Sequence, residues 1–161
     1  MKNLLLMRHA TAAEKETGQQ DADRELTLFG ERQAGEMGIK LKSLGLVPEL
    51  VLCSPAVRTR ATVENLMAEV GRNLPLQLEQ VIYHGSETEI CRLVSDVSDE
   101  VDTLLLVGHN PVISFLAAML QHEGQEPVNF LPATVAHLHF TGMTWEHLRA
   151  GTCKLQALYT A

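Results

Sequence analysis

Residues 4 to 7, Leu4-Leu5-Leu6-Met7, form an unbroken apolar run that stops at Arg8-His9-Ala10-Thr11. A run this short, with no alternation, suits a strand buried on both faces and is too short for a helix. In open α/β sheets chemistry gathers just beyond the carboxyl ends of such strands. Taken alone, the stretch could be a strand end with two solvated polar residues. Two more runs repeat the pattern: Leu50-Val51-Leu52-Cys53 leads into Ser54-Pro55 with Arg58, and Thr103-Leu104-Leu105-Leu106-Val107 leads into Gly108-His109-Asn110-Pro111. In a parallel sheet these three ends share one edge and can converge.

The intervening segments supply the helices that parallel strands need. Thr27 is the expected N-cap of a helix running to about Leu44 and stopped by Gly45, with Ala34, Met37, Leu41 and Leu44 on one face. Ser54 as N-cap and Pro55 at the first helical position are expected to open a second helix ending at Gly71. Leu74 to Tyr83 reads as a short extended segment broken by Pro75. Ser86-Glu87-Thr88-Glu89 is a capping box for a helix to about Val97. A further helix follows Pro111 through Ile113, Leu116, Ala117 and Leu120, and residues 122–131 read as loop. Thr134 to Phe140 and Lys154 to Tyr159 alternate and are expected to be two final strands, the second at an edge. Residues 10–26 lack periodicity, and a loop of that length in a compact domain is more often functional than idle. Alternating strands and helices predict an α/β fold, a three-layer α/β/α sandwich with a mostly parallel central sheet. No linker or repeat interrupts it, so one domain over residues 1–161 is expected.

The chain carries a formal charge of -7 and no Lys/Arg run. Nucleic acid and anionic membrane are therefore poor partners, because both need a basic footprint. Cys53, Cys91 and Cys153 are scattered and odd in number, which argues against a disulfide framework and suits a reducing cytoplasm. The N-terminal apolar stretch is too short for a signal peptide, and no window reaches the length of a membrane span. His137 and His139 share a strand face but lack a third ligand at diagnostic spacing, and His122 and His147 sit in polar surroundings. Met7, Met37, Met67 and Met119 read as core fillers, and no Walker pattern occurs.

Two histidines and two arginines at one sheet edge, without a carboxylate or cysteine cluster, point to phosphoryl chemistry. Guanidinium forks match the charge spread over a transferring phosphoryl group. A neutral imidazole is a competent nucleophile at phosphorus, and a second, kept protonated by the anion, can donate to a phosphoryl oxygen. This chemistry requires no metal or organic cofactor.

The same residues carry a resemblance. Leu6-Met7-Arg8-His9-Ala10 resembles the Arg-His-Gly signature of the histidine phosphatase superfamily, which includes the phosphoglycerate mutases. Ser54-Pro55-Ala56-Val57-Arg58-Thr59-Arg60-Ala61-Thr62 is similar to its Ser-Pro-x-x-Arg-x-x-x-Thr segment, and Val107-Gly108-His109-Asn110-Pro111 to its Gly-His-Asn-Pro segment. Arg24-x-Leu26-Thr27-x-x-Gly30 and the short length resemble SixA-type phosphohistidine phosphatases. The resemblance implies a phosphoglycerate mutase-like fold, His9 as the phosphorylated nucleophile, Arg8 and Arg58 as phosphoryl ligands, and His109 as transition-state stabiliser. It adds Arg24 as a further phosphate contact. Arg60 lies about 200 degrees round the helix from Arg58 and is expected to point elsewhere.

Two departures stand out. Ala10 replaces a glycine, which matters only if that position needs a glycine-only backbone angle. Mutase-like members also supply a glutamate that protonates the leaving group, and the segment Glu79-Gln80-Val81-Ile82-Tyr83-His84 offers only Glu79 or His84. An alkoxide leaving group needs that proton, whereas an imidazole leaving a phosphoramidate needs it far less; general acid help is worth about 10²–10⁴-fold. The expected function is thus a phosphohistidine phosphatase acting on a histidine-phosphorylated phosphotransfer domain or carrier protein. A broad phosphomonoesterase acting on small phosphorylated metabolites is the alternative, with a mutase disfavoured by length. A non-catalytic phosphoprotein-binding module is a third reading, against which intact His9 and His109 argue. The sequence leaves the oligomeric state open, a monomer included.

Overall fold

The computed structural model describes residues Met1–Ala161. Six strands form one sheet: β1 (Lys2–Arg8), β2 (Leu50–Cys53), β3 (Leu76–Leu78), β4 (Thr103–Gly108), β5 (Val135–Phe140) and β6 (Cys153–Tyr159). Their spatial order is β3-β2-β4-β1-β5-β6. β3, β2, β4 and β1 run parallel, β5 is antiparallel to β1, and β6 is antiparallel to β5 at the edge. The result is the α/β sandwich expected, with antiparallel strands confined to one side.

The apolar runs are continuous because both faces are covered. Strand side chains alternate between faces, and the parity is clean here. Leu5, Met7, Val51, Cys53, Leu105 and Val107 pack under α1 (Leu28–Ser43) and α2 (Val57–Val70). Leu4, Leu6, Leu50, Leu52, Leu104 and Leu106 pack under α4 (Glu87–Ser95) and α5 (Val112–Leu120). Ile82 of the short helix α3 (Gln80–His84) joins this second core.

The helix caps expected from the sequence form as their chemistry requires, with one exception. Thr27 Oγ1 accepts from the Gly30 amide, the Ser86–Glu89 capping box forms, and Gly71 ends α2 in the left-handed region at φ 83. The exception is Ser54, expected to cap α2. That helix begins only at Val57, with Ala56 as an N-cap that makes no side-chain bond. The Ser54 hydroxyl is engaged instead with His109. A second correction concerns residues 74–83: the chain is extended only over Leu76–Leu78, then turns into α3. That turn lets Ile82 bury completely beside Gly108, which an extended course would forgo.

Candidate active site

The register between β1 and β4 brings the two histidines together. Leu4 faces Leu104, Leu6 faces Leu106 and Arg8 faces Gly108, so His9 and His109 occupy equivalent positions just past two adjacent parallel strands. Neighbouring strands lie ~4.8 Å apart, and the two imidazole centroids are 5.4 Å apart. The His9 amide bonds the Gly108 carbonyl at 3.1 Å, extending the ladder one step beyond the strands. β2 ends on the other side of β4, and Ser54 reaches across to bond His109 Nε2 at 2.8 Å.

His9 is fixed in one tautomer by its own backbone. Its Nδ1 lies 2.7 Å from the Ala10 carbonyl oxygen, which can only accept, so Nδ1 carries the hydrogen and Nε2 keeps its lone pair. Ala10 is held in turn by Thr62, whose Oγ1 accepts the Ala10 amide at 3.0 Å and donates to the Arg58 carbonyl at 2.7 Å. Thr62 thereby ties the exit of β1 to α2, one turn below Arg58. Ala10 is buried and has no positive φ, so the position does not require glycine. For His109, the Ser54 Oγ accepts the Ala56 amide at 3.3 Å. The Ser54 hydroxyl can donate its own hydrogen to Nε2, and Nδ1 on the other side of the ring is a buried atom with no protein partner.

Both arginines are anchored through their terminal nitrogens while their Nε groups are buried without a protein acceptor. Arg8 Nη1 donates to the Phe130 carbonyl at 2.9 Å. Arg58, 5% exposed, donates from Nη1 to the Asp21 carbonyl at 2.7 Å and from Nη2 to Asp21 Oδ2 at 2.9 Å. A buried Nε–H without a partner is costly unless a ligand accepts from it. Burial, reinforced by Arg58, Arg8 and Arg24, pushes His9 down to about 4. Burial, then Arg58 and His9, push His109 down to about 3. Burial thus favours the neutral form of both imidazoles at neutral pH.

Arg24 is tied to its own loop through two of its nitrogens and places its charge near His9. Its Nε donates to the Ala13 carbonyl at 3.1 Å and its Nη1 reaches Asp21 at 3.4 Å, so its bonds go to its own loop. Arg60 is exposed, as its helical angle required. His137 bonds Asn3 and His139 bonds Gln156, each an ordinary cross-strand contact. Of the two candidate acids, Glu79 holds the N-cap position of α3 without a side-chain cap bond and lines a surface groove with Leu50, Gln77, Leu93 and Asp96. His84 is exposed and stands edge-on to Tyr83 at 4.5 Å, whose ring in turn stands edge-on to His109 at 5.3 Å.

Sequence reasoning missed Asp21, Tyr83 and the role of Ser54. Tyr83 Oη donates to Asp21 Oδ2 at 2.6 Å, and that bond, with the Arg58 and Arg24 charges, holds the Asp21 carboxyl far below the usual carboxylate range. The same bond raises Tyr83. Asp21 lay in an aperiodic loop, where only its Asp-x-x-Arg spacing to Arg24 could have flagged it, and Tyr83 lay in a segment read as extended, with no signal to mark it.

A family model, Histidine phosphatase superfamily (branch 1), matches residues 4–82, from β1 to α3. An uncharacterised protein of Mycobacterium leprae is 30% identical over 146 residues, covering 86% of this chain and 88% of the relative. A candidate phosphohistidine phosphatase SixA from Nakamurella multipartitia superposes with a TM-score of 0.85 at 30% identity, over 98% of this chain and 95% of that one. The chain belongs to the histidine phosphatase superfamily. It is a phosphatase by class, and the arrangement of His9, His109, Arg8 and Arg58 is read below in that light. A protein histidine phosphatase SixA complexed with tungstate shares the fold, with a TM-score of 0.84 at 22% identity over 98% of this chain and 96% of that one.

Proposed function

We propose that the protein hydrolyses phosphohistidine, with His9 as the nucleophile, Arg8 and Arg58 as phosphoryl ligands and His109 as a hydrogen-bond donor to the transferring group. The observation that carries this reading is the pair of neutral imidazoles at 5.4 Å, flanked by two anchored guanidiniums whose buried Nε groups lack acceptors. His9 Nε2 attacks phosphorus with its lone pair, the bond from phosphorus to the substrate imidazole breaks, and that imidazole, already carrying hydrogen on its other ring nitrogen, leaves neutral. Water then attacks the phosphorylated His9, the P–Nε2 bond breaks, and inorganic phosphate leaves. His109 Nδ1–H donates without needing a second proton, and an incoming phosphoryl anion raises both histidines. Arg24 shapes the loop over the site and adds positive charge near His9.

The choice of phosphohistidine over a sugar phosphate rests on the absence of a poised acid. Asp21 is held ionised, Tyr83 is raised, Glu79 lines another groove, and His84 is exposed on the far side of Tyr83 from His109. An alkoxide would leave unprotonated, at a cost of about 10²–10⁴ in rate, whereas imidazole is a tolerable leaving group. A histidine-phosphorylated phosphotransfer domain or carrier protein is the matching partner. The single sheet argues for one catalytic domain over residues 1–161. Three free, buried thiols fit a reducing compartment such as the cytoplasm.

The test is turnover of a phosphohistidine protein against sugar phosphates, with trapping of the acid-labile phosphoenzyme. The phosphohistidine protein is expected to be the better substrate, with the label on His9. His9→Ala is expected to abolish the label and lower turnover by more than about 10⁴-fold, the scale at which a lost nucleophile is felt. Preference for the sugar phosphate, or label retained in His9→Ala, refutes the reading.

A further inference from the structure

Asp21 sits on a one-turn 3-10 segment, Asp21–Asp23, inside the long loop between β1 and α1. It is the point where that loop grips the site. Its main-chain oxygen and its Oδ2 accept from the two terminal nitrogens of Arg58, at 2.7 and 2.9 Å. Oδ2 also takes the Tyr83 hydroxyl at 2.6 Å, and Oδ1 lies 3.4 Å from Arg24 Nη1. Arg58 is buried to within 5% and leaves α2 from its first turn.

A guanidinium has two usable bidentate edges, the terminal edge between Nη1 and Nη2 and the side edge between Nε and one Nη. Asp21 takes the terminal edge. The side edge remains, and its Nε–H is buried with no protein acceptor. We infer that Asp21 is a positioning residue: by clamping the terminal edge of Arg58 it fixes the guanidinium plane so that the side edge meets the transferring phosphoryl group. This rests on the phosphatase reading of the site and adds a residue to it.

Two other roles for Asp21 fit the geometry less well. A proton donor would need a protonated carboxyl, and three cationic or hydroxyl donors converge on this one. An internal competitor for phosphate would cover the edge that phosphate needs, and the Nε edge is the one that Asp21 does not engage. Pre-orientation of this kind acts chiefly in the transition state, where three equatorial oxygens must be met at fixed angles.

The full-length chain can be tested with orthovanadate, a five-coordinate mimic of transferring phosphate, measured by calorimetry and by kcat/KM. Asp21→Ala and Asp21→Asn are made in the Arg58 protein and in Arg58→Lys, whose single ammonium has no second edge to present. Loss of one charge-assisted pair corresponds to about 10–100-fold. Asp21→Ala is expected to weaken vanadate binding and kcat/KM by about that factor beside Arg58, and Asp21→Asn by less. In the Arg58→Lys background either change is expected to cost under about three-fold, because the coupling it removes is already gone. Melting curves identify any variant that has lost its fold, and Tyr83→Phe, which removes a hydroxyl held by Asp21 while Arg58 and Asp21 keep their mutual bonds, supplies a milder version of the same loss. Unchanged or tighter vanadate binding in Asp21→Ala, or an equal loss in both backgrounds, overturns the inference. Vanadate affinity needs no turnover. A chain that fails to hydrolyse phosphohistidine yet keeps the vanadate pattern therefore condemns the substrate assignment and not the role of Asp21.

Discussion

His9 illustrates how an imidazole is held neutral with its free lone pair on one chosen nitrogen, the state that the proposed nucleophile needs. Its Nδ1–H is donated to the Ala10 carbonyl, which directs the lone pair to Nε2. Burial and neighbouring guanidiniums lower its proton affinity to about 4, so at neutral pH nearly every molecule is in the reactive form. Ordinary imidazole, near 6.5, would already be part-protonated at slightly acidic pH. Histidine ring NMR on the free protein is expected to place the His9 titration near pH 4, and added orthovanadate to move it upward. A titration near 6.5 in the free protein would contradict the electrostatic account.

The elements matter through where they let backbones approach. The first turn of α1 lies so close to the residue two beyond His9 that a methyl group on Gly30 would sit 2.1 Å from the Thr11 carbonyl oxygen. The neighbourhood is held by Thr27, whose amide bonds the same carbonyl at 3.0 Å, and by Gln33, which accepts from the Thr11 amide at 3.0 Å. The Leu26-Thr27-x-x-Gly30 pattern is therefore a docking device for α1 against the exit of β1. Gly30→Ala is expected to cost about 1–3 kcal/mol and to lower activity with it, because the displaced backbone carries His9. Urea unfolding and kcat/KM measured together check this. Ser86→Ala, on the opposite sheet face, is the control: it should cost about 0.5–2 kcal/mol of cap stability and leave kcat/KM unchanged.

Across the molecule, two buried histidines held neutral make stability depend on pH in a defined direction. Both His9 and His109 have folded values below the unfolded 6.5, so between about pH 6.5 and pH 4 the unfolded chain binds more protons. Stability is then full above 6.5 and falls as pH drops toward 4. Asp21 stays ionised through this window and does not offset the loss. Each shift corresponds to a few kcal/mol, on the order of 3 for His9 alone, and the two are coupled by proximity. Denaturant unfolding at pH 7.0 and 4.5 is expected to show the decline, with His109→Gln reducing the slope. Oxyanion binding should counter it, since an anion favours the protonated rings.

The local sequence already held the strands, their two-sided burial, the capping box at Ser86 and the residues that gather at one end of the sheet. Apolar runs and capping chemistry are short-range facts, and Arg8, His9, Arg58 and His109 fall at ends those facts define. Only the folded chain decided that β1 and β4 pair in a register that aligns position 9 with position 109. Nor could the sequence have shown that Ser54 would leave its helix to serve His109, or that Asp21 would cross from a loop to clamp Arg58. Those choices depend on contacts between residues 37 to 100 positions apart, where no local preference reaches and packing alone selects the partner.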